Sequence, residues 1–345
     1  AGTGQLKAQW QGGFQQTRTA VQLNASLPRL SQHPPTGDGW QMPQGQIALQ
    51  GQLGALQAQI ETRLQRGTQS MQVQSRLSAA SSKPHAGEWQ GQIDSASAQL
   101  SGPGKATPWQ AQLQKAVAWQ LSSSNAGTAV RWQAGQIDGQ GPVPGQARLL
   151  WDAGQWQTPV ATATGARTSR TITPKTQISA RIEDLPSSWL PVGLPPEVQS
   201  DLLLKGHVKL EHSASLHLSA VLERSRGDLR INADNAPGQH LNAGLSEARI
   251  QVQVDDKAVQ AQLLWQSEQM GQAQAQLQTR LSHQHNGWSW SEQAPVSGWL
   301  KAQLPRVGAW SLLAPPGWRV QGTLDAQLAL SGTHEQPQWQ GLVQA

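Results

Sequence analysis

The chain contains no cysteine and no tyrosine, a single phenylalanine, and only 14% charged residues. Without cysteine there are no disulfides, thiolate metal sites or cysteine nucleophiles, a condition that suits the cytosol or a periplasmic protein that needs no staples. No apolar run approaches the roughly 20 residues of a membrane-spanning helix, and no charged-then-apolar leader opens the sequence. The formal charge of +5 is thin over 345 residues, its Lys and Arg are scattered, and the tryptophans do not alternate with them. Both the basic footprint and the base-stacking groove of a nucleic-acid binder are therefore missing. There is likewise no Gly-x-Ser-x-Gly elbow, no glycine-rich phosphate loop and no His-Glu-x-x-His, so the common signatures of nucleophilic, phosphoryl-transfer and zinc chemistry are absent.

What the chain does have is 16 tryptophans, 34 glycines and about fifty glutamines, the last far above average usage. Apolar and polar residues alternate through most of it, the mark of strands with one buried face. Leu56, Ile60 and Leu64 share a parity, as do Val73 and Leu77, then Val130, Trp132 and Ala134, then Leu149 and Trp151. Further along, Ile178 pairs with Ile182 and Leu216 with Leu218, while Ile250, Val252 and Val254 precede Leu263 and Trp265. Leu277 and Leu281 follow, and Leu328 and Leu330 come near the end. Alanine and glutamine favour helix, but the parity of the large residues decides for strand. Asp255 and Asp256 stand where a tight hairpin joins two such runs.

Turn signals such as "GPG", "GPVPG", "SRGD" and "HNG" separate the runs. The expected fold is all-β: an elongated antiparallel meander folded into a trough, with an apolar inner face and a glutamine-rich outer one. About twenty to twenty-five strands at ~4.8 Å spacing would make it on the order of 100 Å long. An uncovered apolar sheet would aggregate, and the sequence offers no long amphipathic helix to cover it. The sheet must fold over on itself, close into a barrel, or hold a ligand.

Three segments repeat one plan, with boundaries near 27–45, 185–200 and 304–320. Leu185-Pro186 leads through Trp189-Leu190 to Pro195-Pro196 and a strand with Leu204 and Leu210. Leu304-Pro305 leads through Trp310 to Pro315-Pro316 and a strand with Leu324 and Leu330. Leu27-Pro28 and Pro34-Pro35 form a looser first copy. Proline cannot donate to a ladder and ends each strand; residues 1–345 read as one continuous repetitive β-segment.

The stretch Pro315 to Gly341 resembles the repeating unit of the AsmA-like superfamily, and most closely its TamB family, the inner-membrane subunits of the translocation and assembly module. The matching positions are Pro315, Pro316 and Gly317, then Gly322 and Leu324, Gly332 and Thr333, and Pro337, Trp339 and Gly341. The resemblance implies a periplasmic β-trough with an aliphatic lining that guides phospholipid acyl chains between inner and outer membranes, and a link to outer-membrane protein assembly. It also implies that both ends are truncated, that an N-terminal inner-membrane anchor lies outside this segment, and that any contact with the barrel partner TamA runs through regions not in this segment. The apolar-parity residues named above, from Leu56 to Leu330, would line the groove. Two rival readings remain: a structural or chaperone β-protein that holds outer-membrane polypeptides at a sheet edge, and a closed β-solenoid adhesin.

No catalytic residue, metal or cofactor is expected. His283 and His285 share a parity with only Glu292 nearby, too few ligands for zinc. Asp255-Asp256 is a turn pair, not a catalytic dyad. Trp10-Gln11-Gly12, Trp89-Gln90-Gly91 and Trp339-Gln340-Gly341 recur near strand starts, the glycine serving to ease a twist or bulge.

Overall fold

Alternation prevails over helix propensity throughout. In the computed structural model the described residues are 5–11, 17–31, 41–83, 86–101, 109–124, 127–141, 145–158, 175–190, 198–232, 240–284, 287–306 and 322–345, nearly all in strands. The Pro34-Pro35, Pro195-Pro196 and Pro315-Pro316 segments of the repeated plan lie outside them. The chain clusters into two units, Ala1–Ala180 and Arg181–Ala345.

The first unit contains β1 (Gln5–Gln11), β2 (Ala20–Ser31), β3 (Gln41–Gln52), β4 (Ala55–Arg66), β5 (Gln69–Lys83) and β6 (Glu88–Ser101). It continues with β7 (Trp109–Leu113), β8 (Val117–Ser124), β9 (Gly127–Trp132), β10 (Gly135–Gln140), β11 (Gln146–Trp151) and β12 (Gly154–Gln157). Strand β13 (Lys175–Pro186) carries the chain into the second unit. From β1 to β6 each strand pairs antiparallel with the next. Beyond β6 the ladder divides: Ser97–Leu100 pair with β7 and Glu88–Ile93 with β8. The two arms continue as β7–β10–β11 and as β8–β9–β12–β13.

That division follows one line of irregularities. Asp94 is an extra residue between the pairs Arg76↔Ser95 and Leu77↔Ile93, and residues 114–116, 133–134 and 152–153 interrupt the later strands. An extra residue bends a strand and shifts the face on which its side chains fall. The apolar set therefore jumps parity, from Ile93 to Ala96, from Trp132 to Gly135 and from Trp151 to Gly154. Alternation alone groups Ala134 with Val130 and Trp132; the interruption leaves it exposed, and Gly135 and Ile137 take its place opposite Trp151 and Leu149.

In the second unit, β15 (Leu203–His212), β16 (Leu216–Arg226), β19 (Leu245–Asp255), β20 (Ala258–Ser267), β21 (Gly271–Arg280), β24 (Ser297–Leu304), β25 (Leu324–Gly332) and β26 (Pro337–Gln344) form an antiparallel meander. Between β16 and β19 come β17 (Leu229–Asn232) and β18 (His240–Asn242), which join β14 (Val198–Ser200) in a small sheet. A hairpin of β22 (Ser282–Gln284) and β23 (Gly287–Ser289) is inserted before β24. The Asp255-Asp256 hairpin forms as the sequence implies, with Asp255 opposite Ala258 and Asp256 at φ 52°. Left-handed φ is the conformation such a two-residue connection requires.

The best-buried cluster of the second unit is Leu202, Leu229, Ala243, Leu245 and Met270, with Val198, Ala248 and Trp265 packed on it. Asp228 fastens this cluster. Its carboxylate accepts the backbone N–H groups of Leu229 at 2.8 Å, Gly244 at 2.9 Å and Leu245 at 3.0 Å. Burial works to raise its pKa, but those three donors, aided by Arg224, outweigh burial and hold it below the usual value. With the folded pKa below the unfolded value of about 3.9, the stability these bonds add is complete above that value and lost as pH falls through the folded pKa. Asp228→Ala should cost about 1–3 kcal/mol at neutral pH, read as a lower urea midpoint, and should weaken the loss of stability below about pH 4.

Candidate functional site

Cross-strand register decides which side chains share a face, and it gathers the apolar residues into continuous rows. In the second unit one row runs Leu222, Ile250, Leu263, Ala275, Leu300 and Leu328. Beside it lies Ala220, Val252, Ala261, Leu277, Gly298, Leu330 and Trp339. Leu218, Val254 and Val259 form a third row, and Ala248, Trp265, Ala273, Ala302 and Ala326 a fourth. Leu216 stands at the start of β16 opposite His212, and Leu281 follows β21, its N–H bonded to the Lys257 carbonyl at 2.7 Å.

The first unit repeats the arrangement. Leu49, Ala58, Leu77, Ile93 and Val117 make one row, and Ile47, Ile60, Ser75 and Ala96 the next. Thr62, Val73 and Ala98 follow, then Leu64, Met71, Leu100 and Trp109. Past the line of irregularities, Trp89, Leu121, Val130 and Trp156 align, as do Leu113, Ile137 and Leu149. Ile178 and Ile182 share the parity of Thr176, which faces Trp156 on the neighbouring strand. Each row runs across the strands, so an elongated ligand laid along it meets apolar side chains at the strand spacing of about 4.8 Å.

These faces are not sealed. Ile250 is 49% exposed, Leu263 39% and Leu149 39%, whereas a core aliphatic is commonly buried almost entirely. No charged side chain interrupts the two central rows of the second unit. Among the described residues no helix is long enough to cover them.

The tryptophans take a form that spacing does not announce. Trp119 stands opposite Gly91, Trp132 opposite Gly154 and Trp151 opposite Gly135. A Cβ added to Gly91 would lie 2.8 Å from the Trp119 ring, and one on Gly154 2.5 Å from the Trp132 ring. At Gly135 the Trp151 ring would be only 2.2 Å away. Each indole thus leans across onto the neighbouring strand, over the backbone of a residue with no side chain. The Trp151 Nε1 donates to the Gln133 carbonyl at 3.2 Å, which fixes the lean. The glycine of Trp89-Gln90-Gly91 therefore makes room for an indole from a neighbouring strand. The readable signal was glycine at an apolar-parity position opposite tryptophan, which needs the register to interpret.

The opposite faces carry the glutamines. The sequence leads to a glutamine-rich outer face, and the first unit is hollowed there. A cavity of about 900 Å³ is lined by residues that include Gln50, Gln57, Gln90, Gln120, Arg131 and Gln133, and another of about 350 Å³ by residues that include Gln72, Gln99, Gln112 and Asp138. Among the described residues no cluster of three or more His, Cys, Asp or Glu could hold a metal ion. His285 lies outside them.

The geometry defines a class: an all-β protein of antiparallel meanders with one apolar and one amide-rich face. Compared with known protein families, with curated proteins and with solved structures, the chain finds no match.

Proposed function

We propose that the chain is a periplasmic segment of a bridge-like lipid-transfer protein of the AsmA-like kind, guiding phospholipid acyl chains along its apolar faces without catalysis. The observation that carries this reading is the set of unsealed apolar rows, above all Ile250 and Leu263, which face each other across β19 and β20 while both remain exposed. An acyl chain laid on such a row gains about 0.8 kcal/mol per methylene removed from water. Because the rows offer repeated aliphatic contacts and no polar anchor, the chain has many nearly equal resting places, which favours sliding. The resemblance of Pro315 to Gly341 to the family's repeat unit supports the same reading, and with it service between inner and outer membranes and the link to outer-membrane protein assembly.

The test is native mass spectrometry and lipid extraction of the purified chain, followed by incubation with fluorescently labelled phosphatidylethanolamine. Phospholipid should co-purify and labelled lipid should load in its place. A chain that carries no lipid and takes up none sinks the proposal.

A further inference from the structure

A hollow of about 900 Å³ in the first unit lies on the face opposite the apolar rows, and its lining is chemically specific. Gln90, Gln120 and Arg131 are consecutive cross-strand neighbours on β6, β8 and β9. Gln50 and Gln57 are opposite each other on β3 and β4, and Gln133 donates its backbone N–H to the Ala118 carbonyl. These side chains form two rails on either side of a floor that includes the small residues Gly51, Ala79 and Gly91. The row of Gln50 and Gln57 runs on through Ser78, Gln92 and Ala118. It lies two positions along the strands and roughly 7 Å from the row of Gln90, Gln120 and Arg131, so the free amides of the two rows stand on different strands. Trp119 and Trp132 reach the hollow at the floor, but their rings lean over Gly91 and Gly154 on the apolar face.

The bonding capacity here is unspent. Among the described residues, the side chains of Gln50, Gln57, Gln90, Gln120, Gln133 and Arg131 have no hydrogen bond or ion pair. At the margin Gln92 is occupied, donating to Asp94 at 2.6 Å. Each free amide offers two N–H donors and a carbonyl acceptor, and Arg131 a planar fork of donors. Arg131 is the one charged residue in the lining.

The geometry points to this hollow as a binding site for an acidic oligosaccharide, a short chain of hydroxylated pyranoses that carries a carboxylate. Sugar hydroxyls are donor and acceptor at once, which suits amides better than it suits carboxylates or ammonium groups. The guanidinium fork accepts a carboxylate in bidentate fashion. A single cation is too little for a nucleic acid, whose affinity scales with the number of phosphates neutralised. The amide-bearing rows hold no apolar side chain larger than the alanine methyls of Ala55, Ala80 and Ala118, with Leu56, Trp119 and Trp132 at the floor. A linear pyranose chain also repeats at close to the strand spacing of about 4.8 Å, so successive sugars meet successive rail positions. The site faces away from the apolar rows and stands independently of the lipid reading.

The whole chain is titrated by calorimetry and by saturation-transfer NMR with tetragalacturonate, with maltotetraose as the neutral sugar and succinate as the small carboxylate. Tetragalacturonate should bind at least tenfold more tightly than either control. Arg131→Gln should lower its affinity to that of maltotetraose, Gln120→Ala should weaken both sugars, and phospholipid loading should not change in either variant. Equal binding of tetragalacturonate by Arg131→Gln, no binding at millimolar concentration, or succinate binding as tightly as the tetrasaccharide would each overturn the assignment. Circular dichroism and the urea midpoint establish that both variants are folded.

Discussion

Leu263→Asp is expected to reduce acyl-chain transfer at least a hundredfold while leaving the chain folded. Leu263 sits in the central apolar row of the second unit, opposite Ile250 and Ala275, and it is 39% exposed. In the empty protein an aspartate there keeps much of its water, so the folding cost stays near the ~1 kcal/mol scale of strand substitutions. A passing acyl chain would have to strip that water. Desolvating a polar group without a partner costs roughly 2–7 kcal/mol, and a carboxylate more; each 1.4 kcal/mol is a factor of about ten. The adjacent Gln262 supplies the control, since it faces Gln251 and Gln276 on the amide side. Gln262→Asp adds the same charge one residue away and should leave transfer unchanged. The measurement is movement of labelled phospholipid from donor to acceptor vesicles, with circular dichroism to check the fold. A folded Leu263→Asp that carries lipid like the parent, or a Gln262→Asp that blocks it equally, removes the apolar face from the mechanism.

The contrast between these two neighbours shows how far alternation reaches. A period of two needs nothing but local sequence, so the faces carrying Leu56, Ile60 and Leu77, or Ile250, Val252 and Leu263, could be read directly, as could the Asp255-Asp256 hairpin. Ala134 shows where the reading ends. One extra residue at 133–134 reverses the faces, and no local property of Gln133 or Ala134 marks it, because the shift exists only relative to β8 and β11. The glycine partners of Trp119, Trp132 and Trp151 are hidden for the same reason, each lying on another strand 16 to 28 residues away in the sequence. The amide-lined hollow is more remote still. It collects residues from β3 to β9, and their convergence depends on strand order, register and the bends that the extra residues introduce.

Gly135→Ala tests that register-dependent layer, and its expected sign is opposite to the usual one. Replacing a strand glycine by alanine normally stabilises by about 0.5–1 kcal/mol, because the unfolded chain loses freedom. At Gly135 the new Cβ would lie 2.2 Å from Cζ2 and 2.6 Å from Cε2 of Trp151, and 2.7 Å from a Val117 methyl. The indole cannot simply lift, since its Nε1 is held by the Gln133 carbonyl, and Val117 is 3% exposed. Overpacking of this kind costs about 1–3 kcal/mol, which outweighs the entropic gain, so the urea midpoint of Gly135→Ala should fall. Shortening the partner should repair the clash: Gly135→Ala combined with Trp151→Leu should be more stable than the sum of the two single changes, a coupling of about 1 kcal/mol or more in a double-mutant cycle. A Gly135→Ala chain as stable as the parent would mean that the indole is free to stand away from the sheet. The glycine would then be an ordinary strand residue, and the leaning tryptophans would no longer account for the recurrence of glycine at apolar-parity positions opposite them.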